Sequence, residues 1–136
     1  MRSELEALLD EYSLELAATE GWKKDPQAAR EAQLRDWIAA FGNENAEITL
    51  HDPVGCDVCA GTGYRGRVGV YELFAMDATL REMCFRGAGT VKLRDQAKIS
   101  GGLVSLMDDG VKKFLAGDTT IEEVLTVAIS GDTAAA

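Results

Sequence analysis

The sequence lacks the motifs by which most nucleotide-binding proteins hold phosphate. No GxxxxGK[ST] phosphate loop occurs in the 136 residues, and no dinucleotide-binding fingerprint stands between a predicted strand and a predicted helix. The chain also has a single histidine, His51, and no serine or second histidine is placed to complete a catalytic triad. We therefore expect no enzymatic activity from this chain alone.

Basic residues and long apolar runs are also scarce. Lys and Arg number 14 against 23 Asp and Glu, so the formal net charge is −9, and nucleic acids and anionic membranes repel such a chain unless it carries a basic patch. The adjacent pair Lys23–Lys24 is surrounded by acidic residues. No apolar run approaches the roughly 20 residues that span a bilayer, and residues 1–10 do not resemble a signal peptide. We expect a cytoplasmic chain without nucleic-acid binding or membrane insertion.

Cysteine is limited to three residues, too few for the disulfide framework of a secreted domain. Cys56 and Cys59 form a CxxC motif, which in an intracellular protein more often indicates metal or redox chemistry. A thioredoxin-like site is disfavoured because glycines follow the motif where that site has a helix. Cys84 lies at helical spacing from Leu80, so we expect it to be an inert core residue.

The CxxC motif lies in the glycine-rich stretch Gly55–Arg67. Two thiolates at this spacing chelate a tetrahedral zinc ion, and the glycines allow the backbone to turn tightly around it. A closed structural zinc site needs four ligands, and neither His51 nor Asp52 stands at a known ligand spacing. Cys56 and Cys59 are therefore predicted as a zinc half-site, with free thiols or a local disulfide as the alternatives.

Residues 1–46 are predicted to form a helical hairpin. Ser3 and Glu6 have the spacing of a capping box before a leucine stripe, and Asp25–Pro26 marks the start of a second helix that ends at Gly42. Residues 47–75 are predicted to form a glycine-rich CxxC knuckle between two short strands, at residues 47–51 and 67–74. The second strand is apolar on both sides, so we expect helices to cover it.

Residues 76–130 are predicted to form a small helical subdomain, with helix starts at Asp77, Thr90 and Thr119 or Thr120. One strong apolar stripe begins at Leu103 and closes at Gly117. Residues 131–136 are predicted to be a disordered tail. The fold class is thus α+β and mainly helical, with these residues expected in its core: Val70, Leu106, Phe114 and Leu125.

The region from about residue 50 to 130 resembles the C-terminal part of the ATPases of type II secretion and type IV pilus assembly. The resemblance rests on an ordered series of motifs in the sequence: Gly55-Cys-Asp-Val-Cys-Ala-Gly-Thr-Gly-Tyr-Arg-Gly-Arg-Val-Gly-Val-Tyr-Glu72, Leu80-Arg81-Glu82, Leu93-Arg94, Leu106-Met107-Asp108-Asp109-Gly110 and Gly117-Asp-Thr-Thr-Ile-Glu-Glu-Val-Leu125. It implies a cysteine-bearing metal module and a helical domain beside a RecA-like motor. Such motors assemble as hexamers on the cytoplasmic face of the bacterial inner membrane.

The resemblance also implies that other metal ligands and the ATP-binding residues lie in the rest of the parent protein. The family's metal site has two CxxC pairs, and Cys56 and Cys59 match the second, so zinc is expected in the parent and weak or absent in this chain. The phosphate loop, the magnesium-binding acidic motif and the catalytic glutamate all lie upstream. ATP and Mg²⁺ would therefore be bound only by that core, and residues 1–46 are a candidate insertion.

The expected role is indirect, because the module would pass movement of the ATPase core to neighbouring subunits and to inner-membrane platform proteins. Arg65 and Arg67 are the candidate contacts to that core, since guanidinium groups on a glycine-rich turn suit bidentate pairing with carboxylates; solvated turn arginines are the alternative. A rival function is a small zinc-knuckle or chaperone-like module, because Cys56–Gly63 also matches the CxxCxGxG unit of DnaJ-type chaperones. Those knuckles use paired copies.

Overall fold

The computed structural model describes residues 2–17 and 19–133. Within them the fold is mainly helical, with one two-stranded antiparallel sheet. A short 3-10 helix covers Asp57–Cys59. The remaining elements, in chain order, are α1 (Arg2–Leu16), α2 (Glu20–Lys24), α3 (Pro26–Phe41), β1 (Leu73–Phe74), α4 (Ala78–Phe85), α5 (Thr90–Ile99), β2 (Leu103–Val104), α6 (Leu106–Leu115) and α7 (Ile121–Thr133).

Several helix ends follow from their capping residues as predicted. The Asp25 side chain accepts a hydrogen bond from the Ala28 N–H at the start of α3, and Gly42 is the residue at its C-terminal end. The Asp77 side chain accepts from the Leu80 N–H and begins α4. The backbone N–H groups of the first helical turn have no acceptor within the helix, and the side-chain oxygen of the capping residue accepts from one of them.

The first 46 residues differ from a simple hairpin. The five-residue helix α2 lies between α1 and α3, and the Thr19 side chain caps it by accepting from the Trp22 N–H. At the other end of the chain, α7 runs to Thr133, into the segment that we predicted to be disordered from residue 131. Residues 134–136 lie outside the described residues.

The main core joins the first helices to the last. Tyr12 of α1 packs edge-to-face on Trp37 of α3, with ring centroids 5.2 Å apart, and its hydroxyl donates a hydrogen bond to Asp108 of α6. Burial and the Asp108 carboxylate raise the pKa of Tyr12, so the hydroxyl remains protonated and able to donate. The buried residues of this core are Leu8, Leu9, Tyr12, Trp37, Ile48, Val111, Phe114, Leu115 and Val124.

The predicted strands are mostly wrong. Residues 47–51 form no strand; they follow a turn in which the Asn43 side chain accepts a hydrogen bond from the Glu47 N–H. Of residues 67–74, only β1 is a strand, and it pairs with β2, where Leu73 opposes Val104. Leu103 therefore lies in a strand, not at the start of a helical stripe. Helix α6 begins one residue after Ser105, whose hydroxyl accepts from the Asp108 N–H.

The predicted core is correct only in part. Phe114 is buried, as expected, whereas Val70, Leu106 and Leu125 are half-buried. Cys84 is exposed, contrary to the prediction, and Leu80 is the one residue that α4 buries. A smaller cluster of Leu80, Ala97 and Leu103 holds α4, α5 and β2 together. None of the described helices is long and apolar enough to cross a membrane.

Gly110 allows α6 and α7 to approach closely. A Cβ at this buried position would lie 2.5 Å from Cγ1 of Val124. We expect Gly110→Ala to destabilise the fold by about 1–3 kcal/mol, because the overlap outweighs the gain in helix propensity. The control is Gly21→Ala, which meets nothing within 4 Å in α2 and should be neutral or stabilising by up to about 1 kcal/mol. Urea melts of the two variants measure both effects, and equal stabilities would contradict the close approach.

Candidate functional site

The CxxC turn, residues 55–63, wraps its backbone around one sulfur atom. The N–H groups of Cys56 and Gly63 each donate to Sγ of Cys59, both at 3.1 Å. The chain turns through left-handed backbone conformations at Ala60, Gly61 and Gly63, where φ is 53°, 81° and 80°. Glycine adopts such angles without the steric cost of a Cβ, so the glycines after the motif bring the Gly63 N–H to the sulfur.

These contacts favour the thiolate form of Cys59. The backbone N–H groups of Cys56 and Gly63 lower the pKa of the Cys59 thiol to about 6, because hydrogen bonds to the charged sulfur stabilise it. Thiolate is the form in which cysteine binds metal ions or acts as a nucleophile.

The two sulfur atoms have a spacing that suits one metal ion. Their Sγ atoms lie 3.6 Å apart, whereas two sulfurs on a tetrahedral zinc with Zn–S bonds of about 2.3 Å would be separated by about 3.8 Å. Among the described residues, however, no three His, Cys, Asp or Glu side chains come together around one point. The structure thus brings Cys56 and Cys59 together and leaves His51 and Asp52 out of their site.

Arg65 and Arg67 lie on an exposed turn that is anchored to Thr120, the residue before α7. Both line an open cavity of about 710 Å³ that also contains Asp118 and Glu123. The anchor is a hydrogen bond of 2.8 Å between the hydroxyls of Tyr64 and Thr120. Neither anchoring residue was predicted from the sequence, since two hydroxyl groups 56 positions apart leave no local signal.

The residues after this turn form the apolar segment, residues 68–76. Tyr71 and Leu73 are 69% and 63% exposed, although we expected helices to cover this stretch. Polar contacts hold the segment instead: the Asp109 carboxylate accepts from the Tyr71 N–H at 2.9 Å, and Arg94 pairs with Glu72 at 3.2 Å. The exposed large apolar side chains of this segment are Val68, Tyr71, Leu73, Phe74 and Met76.

Asp109 links the apolar segment to α6, and its effect on stability should depend on pH. Burial tends to raise the pKa of this carboxyl, but hydrogen bonds from Lys113 and the Tyr71 N–H and the charges of Lys113 and Lys112 outweigh burial and lower it. A depressed folded-state pKa stabilises the fold above the unfolded pKa, and this contribution is lost as pH falls through the folded pKa.

We therefore expect Asp109→Asn to cost about 1 kcal/mol at pH 7. The difference from the wild type should shrink as pH falls below about 4, the ordinary range of aspartate. Urea melts from pH 7 downwards measure this, with the exposed Asp36→Asn in α3 as control. A cost that stays constant with pH would rule out the ionised carboxylate as its source.

Comparison with known proteins places these features in a family. The sequence model described as "Type II/IV secretion system protein" matches residues 23–126, which include the CxxC turn, the apolar segment and helices α3 to α6. The chain belongs to this family. No solved structure matches it.

The family relatives are much longer than this chain. It is 40% identical over 105 residues to Type II secretion system protein E of Pseudomonas aeruginosa, covering 76% of the chain and 20% of that protein. It is 34% identical over 110 residues to the Type IV pilus assembly ATPase PilB of Thermus thermophilus, covering 79% of the chain and 11% of the relative. The Type IV pilus assembly ATPase TfpB of Acinetobacter baylyi is 41% identical over 78 residues, which are 57% of the chain and 13% of TfpB. The chain therefore spans at most a fifth of these relatives.

Proposed function

We propose that this chain is the C-terminal, non-catalytic module of an ATPase that powers type II protein secretion or type IV pilus assembly. The observation that carries the proposal is the exposed apolar segment within the family match. Five large apolar side chains are exposed to solvent there, and an apolar surface of this kind is typical of a protein interface. We propose that the rest of the parent ATPase covers this apolar surface.

In this proposal the parent's core binds ATP and Mg²⁺ and hydrolyses the nucleotide, while the module rides on the core. Arg65 and Arg67 extend the interface beside the apolar segment, where their guanidinium groups pair with carboxylates of the core. The module passes movement of the core to neighbouring subunits of a hexamer and to platform proteins of the inner membrane. The parent is then a cytoplasmic protein, held at that membrane through its partners.

We further propose that Cys56 and Cys59 supply two of the four ligands of a zinc ion in the parent. Their 3.6 Å sulfur separation and the N–H groups that stabilise the Cys59 thiolate support this assignment. A second CxxC pair of the parent would complete the coordination shell. The metal would have a structural role and hold the CxxC turn in place, as closed zinc sites do.

The interface can be tested by charge reversal in the intact parent ATPase. We expect Arg65→Glu with Arg67→Glu to lower its rate of ATP hydrolysis about tenfold or more, because two repulsive charges would meet the core's carboxylates. The matched control is Arg35→Glu with Arg81→Glu, two exposed arginines on α3 and α4. Equal rates for the two double variants would refute the proposed contact.

The non-catalytic role has a separate test on this chain. Titration of the purified chain with ATP and Mg²⁺ in a calorimeter should show no saturable binding, since no phosphate loop is present in its sequence. Binding at micromolar concentration would exclude the assignment as a non-catalytic module.

A further inference from the structure

A groove of about 310 Å³ is lined by residues of α1, α6 and α7 and of the loop after α3. It lies apart from the CxxC turn and from the apolar segment, neither of which contributes a lining residue. Its apolar lining comes from Leu8 of α1, Leu50 of the loop after α3, Phe114 of α6 and Leu125 of α7. The volume is at the small end of the range for ligand sites, so it suits one anchoring side chain and not a whole helix.

The same groove is bordered by acidic side chains. No lysine or arginine is among the described residues that line it, and His51 is its one basic side chain. The chain as a whole is acidic as well, with a net charge of −9. Such a lining disfavours anionic ligands and is complementary to a ligand that carries an apolar group and a cation together. The carboxylates belong to Glu4, Glu11, Asp52 and Glu122.

The α1 wall of the groove is firmly attached, although it lies outside the family match, which begins at residue 23. Besides the contact of Tyr12 with Asp108, Glu15 of α1 pairs with Lys98 of α5 at 2.9 Å, and both side chains are mostly buried. The groove is therefore a preformed feature, and one of its walls comes from a helix that the family model does not include.

We propose that this groove binds a short segment of a partner protein in which a leucine-sized apolar side chain lies within one helical turn of a lysine or arginine. The apolar side chain would contact Leu8, Phe114 and Leu125, and the cation would meet the carboxylates of Glu11, Asp52 and Glu122. Helix-in-groove recognition uses this combination of an apolar anchor and flanking charges. The proposal does not depend on the role assigned to the family region.

The probe is a labelled twelve-residue model helix with leucine and arginine on one face, followed by fluorescence anisotropy against the whole chain. Two matched peptides separate the contributions: one has serine for each leucine, and the other has glutamate for each arginine. We expect the serine peptide to bind about tenfold more weakly and the glutamate peptide to show no binding. Equal binding of the leucine and serine peptides would mean attraction by net charge alone and would overturn the proposal.

Variants of the chain test the location. Glu11→Gln with Glu122→Gln should weaken binding about tenfold, whereas Glu44→Gln with Glu47→Gln removes the same charge from exposed positions outside the groove and should change it less than about twofold. Ala7→Trp should block the groove, since Ala7 is an exposed lining residue, and circular dichroism checks that it still folds.

If both glutamine pairs weaken binding equally, or if folded Ala7→Trp binds the peptide as the wild type does, the groove is not the binding site. Sedimentation of the chain at rising concentration tests whether a second copy of the chain occupies the groove instead. Self-association that Ala7→Trp abolishes would assign the groove to a second copy and overturn the proposal.

Discussion

Phe114→Ala is expected to lower the free energy of unfolding by about 3–5 kcal/mol, the usual cost of removing a buried phenylalanine side chain. Phe114 is only 8% exposed and lies in the core that joins α1, α3, α6 and α7.

Phe85→Ala provides a matched control in the same chain. Phe85 ends α4 and is 90% exposed, so its truncation should change the unfolding free energy by no more than about 0.5 kcal/mol. Urea melts of both variants give the comparison. A loss below about 1 kcal/mol for Phe114→Ala would mean that the side chain does not lie in the core.

Zinc is expected to bind this chain weakly and to bind tightly a longer version of the protein that includes a second CxxC pair. In the present chain, Cys56 and Cys59 offer two of four ligands, and no third ligand of the described residues joins them. A closed site of four thiolates has a binding free energy of about 10 kcal/mol or more, which becomes folding free energy. We therefore expect a chelator to lower the melting temperature of the longer version strongly and that of this chain very little.

The measurements are zinc content by mass spectrometry after dialysis and thermal melts with and without chelator. Cys56→Ser is the matched variant in both lengths, and it should abolish tight binding in the longer version while leaving the stability of the short chain nearly unchanged. One zinc retained per molecule of the short chain, with a large drop in its melting temperature on chelation, would refute the half-site argument.

Much of the helical structure could be predicted because it depends on neighbouring residues. Asp25, Asp77 and Gly42 act on backbone groups within one turn of themselves, so their effect can be recognised from sequence alone. The stripe that contains Phe114 has the helical period that a buried face requires. The closeness of the Cys56 and Cys59 side chains was predictable for the same reason, since the two residues lie three positions apart.

The errors concern residues whose partners are distant in sequence. Leu103 has the spacing of the α6 stripe, but its backbone pairs with Phe74, and Ser105 caps the helix that follows. Cys84 has the spacing of Leu80, but it is exposed whereas Leu80 is buried. Helical period identifies a face that a partner would bury, and it does not say whether that partner is present.

The sequence by itself determined the helical character of the chain, both ends of α3, the start of α4, the CxxC pair and the resemblance to secretion and pilus ATPases, because each depends on local spacing or on an ordered series of motifs. Only the tertiary structure decided that α1 packs against α6, that the Tyr64 hydroxyl meets Thr120, and that the apolar segment is exposed. It also decided that α1, α6 and α7 together enclose an acidic groove. These features depend on contacts between side chains many residues apart, which burial and shape select and which leave no periodic signal in the sequence.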